Sequence, residues 1–175
     1  MAVLPIRTFP DPFLKSPTKV VESMTPSVLR LVNDMIETMR QHPRCVGLAA
    51  PQVGSSLRIA VADATGHPSA SVNHGLMVLV NPQITAYETP VVQREGCLSV
   101  PHLTGNVRRA HRVHVKAMDH TGQRWERWIE GFEAIVIQHE VDHLDGKLFL
   151  DRVANVKTDV FRRKVYATPE RPTDT

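Results

Sequence analysis

Within this chain, the residues His139-Glu140-Val141-Asp142-His143 have the types and spacing to do chemistry. Two histidines four positions apart stack on one face of a helix, close enough to grip a single metal ion. Glu140 falls at the edge of that face, where its carboxylate can take a proton from a water on the ion. Chance supplies roughly 0.02 such patterns in a chain with this many His and Glu, so coincidence is a weak competitor. Two imidazoles do not complete a catalytic site of the zinc type, which usually takes three protein ligands and one water. A metzincin-like continuation fits Gly146 but meets Phe149 where its third His belongs. A thermolysin-like site needs a Glu on a following helix, and beyond Asp151 neither Asp159 nor Glu170 sits in a context that suits the role. Cys97, inside Glu95-Gly96-Cys97-Leu98-Ser99, is the strongest remaining candidate, because the flanking Gly lets the backbone come close to an ion or a substrate.

The segment that must carry the two histidines reads as a helix from 132 to about 144, with Gly146 where a helix C-terminal glycine is expected. Val136, Ile135 and Phe132 lie three, four and seven residues before His139, roughly on its face, and could line an apolar pocket beside the metal. Ordinary core packing explains each of them singly just as well. Upstream, Thr25-Pro26 opens an amphipathic helix with Val28, Val32, Met35, Ile36 and Met39 at helical spacing, ending near Arg40 before His42-Pro43. Residues 46–54 are punctuated by Gly and Pro and read as a functional loop or short extended stretch. Leu57, Ile59 and Val61 alternate as a strand; a polar loop follows over 64–75, then an apolar run at 77–80 stopped by Asn81-Pro82. Val113, Val115 and Ala117, a turn over 119–122, and a return over 124–129 predict a hairpin. A last helix is expected from about 153 to 166, with Val156, Val160 and Phe161 inward and Arg162, Arg163 and Lys164 outward; 167–175 should fray as a disordered tail. The sum is one α+β domain over 1–166, with antiparallel β-sheets around a central metal-binding helix and a C-terminal helix.

Composition bounds the function classes. At 175 residues the chain can bury one core without staples, and 42% hydrophobic with 22% charged residues lies in the globular range. A net charge of +3 does not argue for nucleic acid. Two cysteines, Cys45 and Cys97, are too few for a disulfide scaffold and point to free or metal-bound thiols in a reducing compartment. The N-terminus lacks a secretory pattern, and no apolar run approaches the ~20 residues needed to span a bilayer, so a cytoplasmic enzyme without membrane contact is expected.

Three stretches, taken together, resemble the signature motifs of the peptide deformylase family: Val46-Gly47-Leu48-Ala49-Ala50-Pro51-Gln52-Val53-Gly54, Glu95-Gly96-Cys97-Leu98-Ser99, and Gln138-His139-Glu140-Val141-Asp142-His143-Leu144-Asp145-Gly146. Their order and spacing agree with the family up to about Tyr166. The resemblance implies that Cys97, His139 and His143 bind one divalent ion per chain, Fe2+ physiologically, with Zn2+, Ni2+ or Co2+ in purified protein. It implies Glu140 as general base and then acid, and Gln52 with the Leu98 backbone N–H as donors to the oxyanion. It places Val46, Gly47, Glu95 and Gly96 with Phe132, Ile135 and Val136 on the substrate side. The implied reaction removes the formyl group from N-formyl-methionine on nascent peptides, releasing formate. The extended peptide would pair with a strand edge near Gly47 and Gly96, and the Arg162-Arg163-Lys164 face would be open to a ribosome contact. Two departures stand out. Cys45 occupies a position where Gly is common, and reads as packing beside the groove. Pro101-His102-Leu103-Thr104-Gly105 differs from the usual pattern, so contacts beyond methionine do not carry over. The alternatives are an H-E-x-x-H endopeptidase, which lacks its third His or Glu, and a non-catalytic metal-binding or ribosome-associated factor, against which the intact Glu140 and Gln52 argue.

Overall fold

The computed structural model describes residues 2–164. In chain order the elements are α1 (Pro26–Gln41), β1 (Gly47–Ala49), β2 (Ile59–Ala62), β3 (Met77–Cys97), β4 (Val100–Met118), β5 (Arg124–Glu130), α2 (Gly131–Leu144), a single turn α3 (Val156–Asp159) and β6 (Val160–Arg162). Short 3-10 turns cover Pro12–Lys15, Ala50–Val53 and Phe149–Arg152. All strands pair antiparallel, in the order β1-β2-β3-β4-β5, with β6 added to β4. This is the expected mixed helix and antiparallel sheet arrangement around a buried helix. No helix among the described residues is long and apolar enough to cross a membrane.

α2 is central because its sequence leaves it no wet face. Ala134, Ile137 and Leu144 are fully buried against Ala60, Leu79, Val113 and Val115 of the sheet, each large side chain contributing about 1.5–3 kcal/mol of burial. Gln138 clamps helix to sheet: its Nε2 donates to Ala110 O at 2.8 Å, and Ala110 N donates back to its Oε1 at 2.9 Å. The helix ends at Gly146, which takes φ 71° and lies so close to Lys15 O that a Cβ would stand 2.6 Å from it. Only glycine meets both demands cheaply. On the other side of the sheet, α1 starts as expected, with Thr25 Oγ1 accepting from Val28 N at 3.3 Å, and buries Val28, Val32, Met35 and Met39.

Two expectations change. The apolar run at 77–80 does not stop at Asn81-Pro82: β3 runs on to Cys97, and the interruption is absorbed as a bulge between Val80 and Gln83. Asn81 tolerates φ 52°, and its side-chain amide bonds both Val21 N and Val21 O at 2.8 Å, so the backbone groups of a neighbouring segment are satisfied there. The C-terminal helix expected over 153–166 is one turn, capped by Asn155, after which Val160–Arg162 become a strand on Leu103–Gly105. Val160 and Phe161 have strand propensity as well as helical spacing, and the open edge of β4 beside the Phe149 and Val153 side chains decides between them. Val156, expected inward, is 69% exposed. The expected tail at 167–175 lies outside the described residues.

Candidate active site

Cys97 closes β3 at a two-residue turn, Leu98-Ser99, that reverses the chain into β4. This turn faces the third and fourth turns of α2, so Cys97 Sγ and one ring nitrogen each of His139 and His143 lie within 4.8 Å of one another. Cys97 Sγ is 3.2 Å from His143 Nε2. His139 is oriented from behind: Glu95 Oε2 accepts from its Nδ1 at 2.8 Å, which turns the other nitrogen toward the cluster. Glu95 is held in turn by Arg109, whose Nε and Nη2 donate at 2.6 and 3.0 Å. Arg109 Nη1 also donates to Asp142 Oδ2 at 2.6 Å, and Asp142 Oδ1 accepts from Arg152 Nη2 at 2.6 Å. A chain of four charges therefore runs beneath α2, with Glu95, Arg109 and Asp142 all buried.

Gln52 is placed by the 3-10 turn after β1. Its Oε1 accepts from Ala49 N at 2.9 Å, and its Nε2 donates to Ser99 Oγ at 3.1 Å and Cys97 Sγ at 3.4 Å. The sulfur bond is the weaker and the more readily given up to another acceptor. Glu140 lies against Gly47: a Cβ there would collide with Glu140 Oε1 and stand 2.9 Å from Val136 Cγ1. Gly47 is thus required by close approach, with no unusual φ involved.

Burial opposes ionisation of Glu95, Cys97, His139 and Glu140, and the neighbours overcome it at the first three. Burial pushes Glu95 up, but Arg109 and His139 hold it down to about 2. Burial likewise raises the Cys97 thiol, and the imidazoles of His143 and His139 outweigh it, leaving it well below its ordinary value. Burial acts to lower His139, and bonds to Cys97 and Glu95 raise it well above the ordinary range. Glu140 goes the other way: desolvation dominates and lifts it to about 7. Its Oε2 has no hydrogen-bond partner among the described residues despite complete burial. Two imidazoles and a thiolate meeting at one buried point, beside a carboxyl with an unsatisfied oxygen, fit a divalent ion of the zinc or iron type.

Cys97, His139, Glu140 and Gln52 form the floor of a cleft of about 810 Å³, walled by Val46, Gly47, Leu98, Phe132, Ile135 and Val136. The His67 ring stacks on Phe132 with centroids 4.0 Å apart, and the polar loop carrying it is pinned to α2 where Glu133 accepts from His74 N at 2.8 Å. The profile of the polypeptide deformylase family matches residues 3–159. The chain belongs to the polypeptide deformylase family. A peptide deformylase from Halothermothrix orenii is 47% identical over 156 residues, 89% of this chain and 97% of that one. The crystal structure of a peptide deformylase from Legionella pneumophila superposes with a TM-score of 0.81 at 42% identity, covering 89% of both chains. A Met-Ala-Ser-bound class I type b peptide deformylase from Acinetobacter baumannii superposes at 0.82 with 35% identity, over 87% of this chain and 99% of that one. The family is one of metal-dependent hydrolases, and the assignment of an enzyme of this class stands. The endopeptidase alternative does not: the third donor comes from Cys97 upstream, and Phe149 is buried in the core.

Sequence reasoning brought together Cys97, His139, His143, Glu140, Gln52 and Leu98, and the structure gathers them: all but His143 line the cleft, and the buried His143 meets Cys97 and His139 beneath it. Glu95 is the exception among residues expected on the substrate side: it borders the cleft, but its carboxylate is spent on Arg109 and His139. Cys45 is half-buried, donates to Gly47 O at 3.1 Å, and is pushed up to about 12 by burial and by the Glu140 charge, so it behaves as a packing thiol. Arg109, Ser99 and Arg152 were missed. Asp142 was itself a signal, since a carboxylate on a buried helix demands a cation.

Proposed function

We propose that this chain, through a catalytic domain spanning 1–166, hydrolyses N-formyl-methionyl ends of nascent peptides to formate and a free amino terminus. The observation that carries the reading is the buried, unsatisfied carboxyl oxygen of Glu140 at the floor of an apolar cleft, beside three convergent soft donors. Cys97, His139 and His143 would hold one divalent ion, which when bound supplies Lewis acidity and a nucleophile near neutral pH. Gln52 Nε2 and the Leu98 N–H then donate to the oxygen on which negative charge develops. Glu140 takes the nucleophile's proton and delivers it to the departing amine. Val46, Phe132, Ile135 and Val136 receive the methionine side chain, while Gly47 and Gly96 offer backbone edges to an extended peptide. The Met-Ala-Ser bound to the similar Acinetobacter baumannii protein begins with the residue such a cleft would select.

Cys and His ligands suit zinc and iron alike, and we take Fe2+ as the working ion in a reducing cytoplasm that keeps both thiols out of disulfides. A ribosome contact through Arg162–Lys164 would be made from β6 and the two residues after it, at the border of the cleft, and not from a helix face. The test is formate release from formyl-Met-Ala-Ser by protein purified anaerobically with its metal counted. Stoichiometric metal and formate support the reading; cleavage of an internal peptide bond with no formate would overturn it.

A further inference from the structure

Gly47 and Gly96, the two glycines of the cleft, are pressed by different side chains. At Gly47 these are Glu140 and Val136; at Gly96 it is Arg163, since a Cβ built there would collide with Nη2 and lie 3.2 Å from Cζ. Several contacts fix this placement. β6 pairs with Leu103–Gly105, and Arg163 N donates to His102 O at 2.9 Å. The Arg94 guanidinium covers the Phe161 ring of β6, 3.5 Å from its centroid, and is itself held by Asn106 Oδ1 at 2.8 Å. Asn106 Nδ2 donates to Asp159 Oδ1 at 3.3 Å, just before β6 begins. The strand is pinned on both sides, and Arg163 leaves it directly over the backbone that a peptide must approach.

Arg94, Arg162, Arg163 and Lys164 all border this end of the cleft. The nearby carboxylates are otherwise engaged: Glu95 with Arg109 and His139, Asp159 with Asn106, and Glu140 against Gly47 on the floor. Among the described residues no carboxylate forms an ion pair with any of the four cations. We propose that Arg163 is a specificity-determining residue whose guanidinium, held over Gly96 by β6, binds a carboxylate carried by the substrate beyond its methionine. The proposal rests on reading the cleft as a formyl-peptide site. A guanidinium offers a planar fork of donors matched to a carboxylate, and here it is seated against backbone, so less freedom is lost on binding than at an open surface. One such bond is worth roughly 10-fold in kcat/KM.

The test compares kcat/KM for metal-loaded full-length wild type, R163Q and R163E on amidated formyl-Met-Ala-Asp, formyl-Met-Asp-Ala, formyl-Met-Ala-Asn and formyl-Met-Ala-Lys, plus formyl-Met-Ala-Asn as the free acid. Wild type should favour an Asp amide over the Asn amide by about 10-fold and rank the Lys amide last, and R163Q should shrink the Asp/Asn ratio to below about 2. R163E should invert the ranking. An advantage confined to the free acid, and lost in R163Q, supports the same bond with the chain-end carboxylate as its source. An Asp/Asn ratio unchanged in R163Q, or a gain shared by all peptides that marks Arg163 as a mere obstruction, would overturn the proposal. Formate from no peptide would overturn the underlying reading as well, whereas formate from all of them with a flat wild-type ranking sinks only the role of Arg163.

Discussion

Behind the floor of the cleft, Glu95, Arg109, Asp142 and Arg152 are linked in a supporting chain of ion pairs, each buried charge facing its opposite at 2.6–3.1 Å. At the rim, Arg94, Arg162, Arg163 and Lys164 stand exposed, with a ring, a backbone and solvent around them. The difference follows from dielectric. A buried charge without a partner costs several kcal/mol, so the floor must be internally matched and its geometry is fixed in advance. Exposed cations cost little and can wait for charge on a ligand. The floor is accordingly built to position chemistry, and the rim to rank what arrives.

Breaking the floor should therefore have the largest effect. Arg109→Met leaves Glu95 with His139 alone and Asp142 with Arg152 alone, and is expected to lower unfolding stability by about 3–5 kcal/mol in urea titrations. The matching change on the rim, Arg162→Met, should stay within about 0.5 kcal/mol. Equal losses at the two positions would erase the contrast between floor and rim.

A smaller effect separates positioning from substrate contact. Glu95→Gln keeps a hydrogen-bond acceptor for His139 but removes the charge, and is expected to weaken metal binding about 10- to 100-fold in chelator competition. Unchanged affinity with a raised KM would put Glu95 on the substrate, where the family resemblance had placed it.

How much of this was legible beforehand depended on whether the information was local. The spacing of His139 and His143 matches the helical period, so α2 and its metal-facing side could be read from five residues. The hairpin at 113–129 was legible for the same reason, and the structure pairs Val113 with Ile129 and Ala117 with Trp125. Cys97 could be nominated by elimination and by family resemblance, but the β3–β4 turn that carries it to α2 is long-range. Asn81-Pro82 hid the continuation of β3, because a bulge bonded to Val21 is invisible without the partner segment. β6 was hidden too: Val156, Val160 and Phe161 satisfy a helical pattern, and only the open edge of β4 makes them a strand. Arg109 shares its face of β4 with the buried Val107 and Val113, so alternation there hinted at an inward arginine.

Smaller still is the expected effect of filling the side-chain pocket. Val136 Cγ1 already crowds Gly47, and Val136→Phe should reduce kcat/KM for formyl-methionyl peptides about 10-fold more than for formyl-alanyl ones. Equal losses on both substrates would remove Val136 from the pocket wall.

The most direct test is Glu140→Gln, with formate release and bound metal measured on the same preparation. Glu140 moves a proton and ligates nothing in this account, so the metal content should stay near that of the parent while deformylation falls by at least ~100-fold. Metal lost along with activity would make Glu140 a ligand, and activity retained with metal intact would place the proton carrier elsewhere; either result contradicts the site as described.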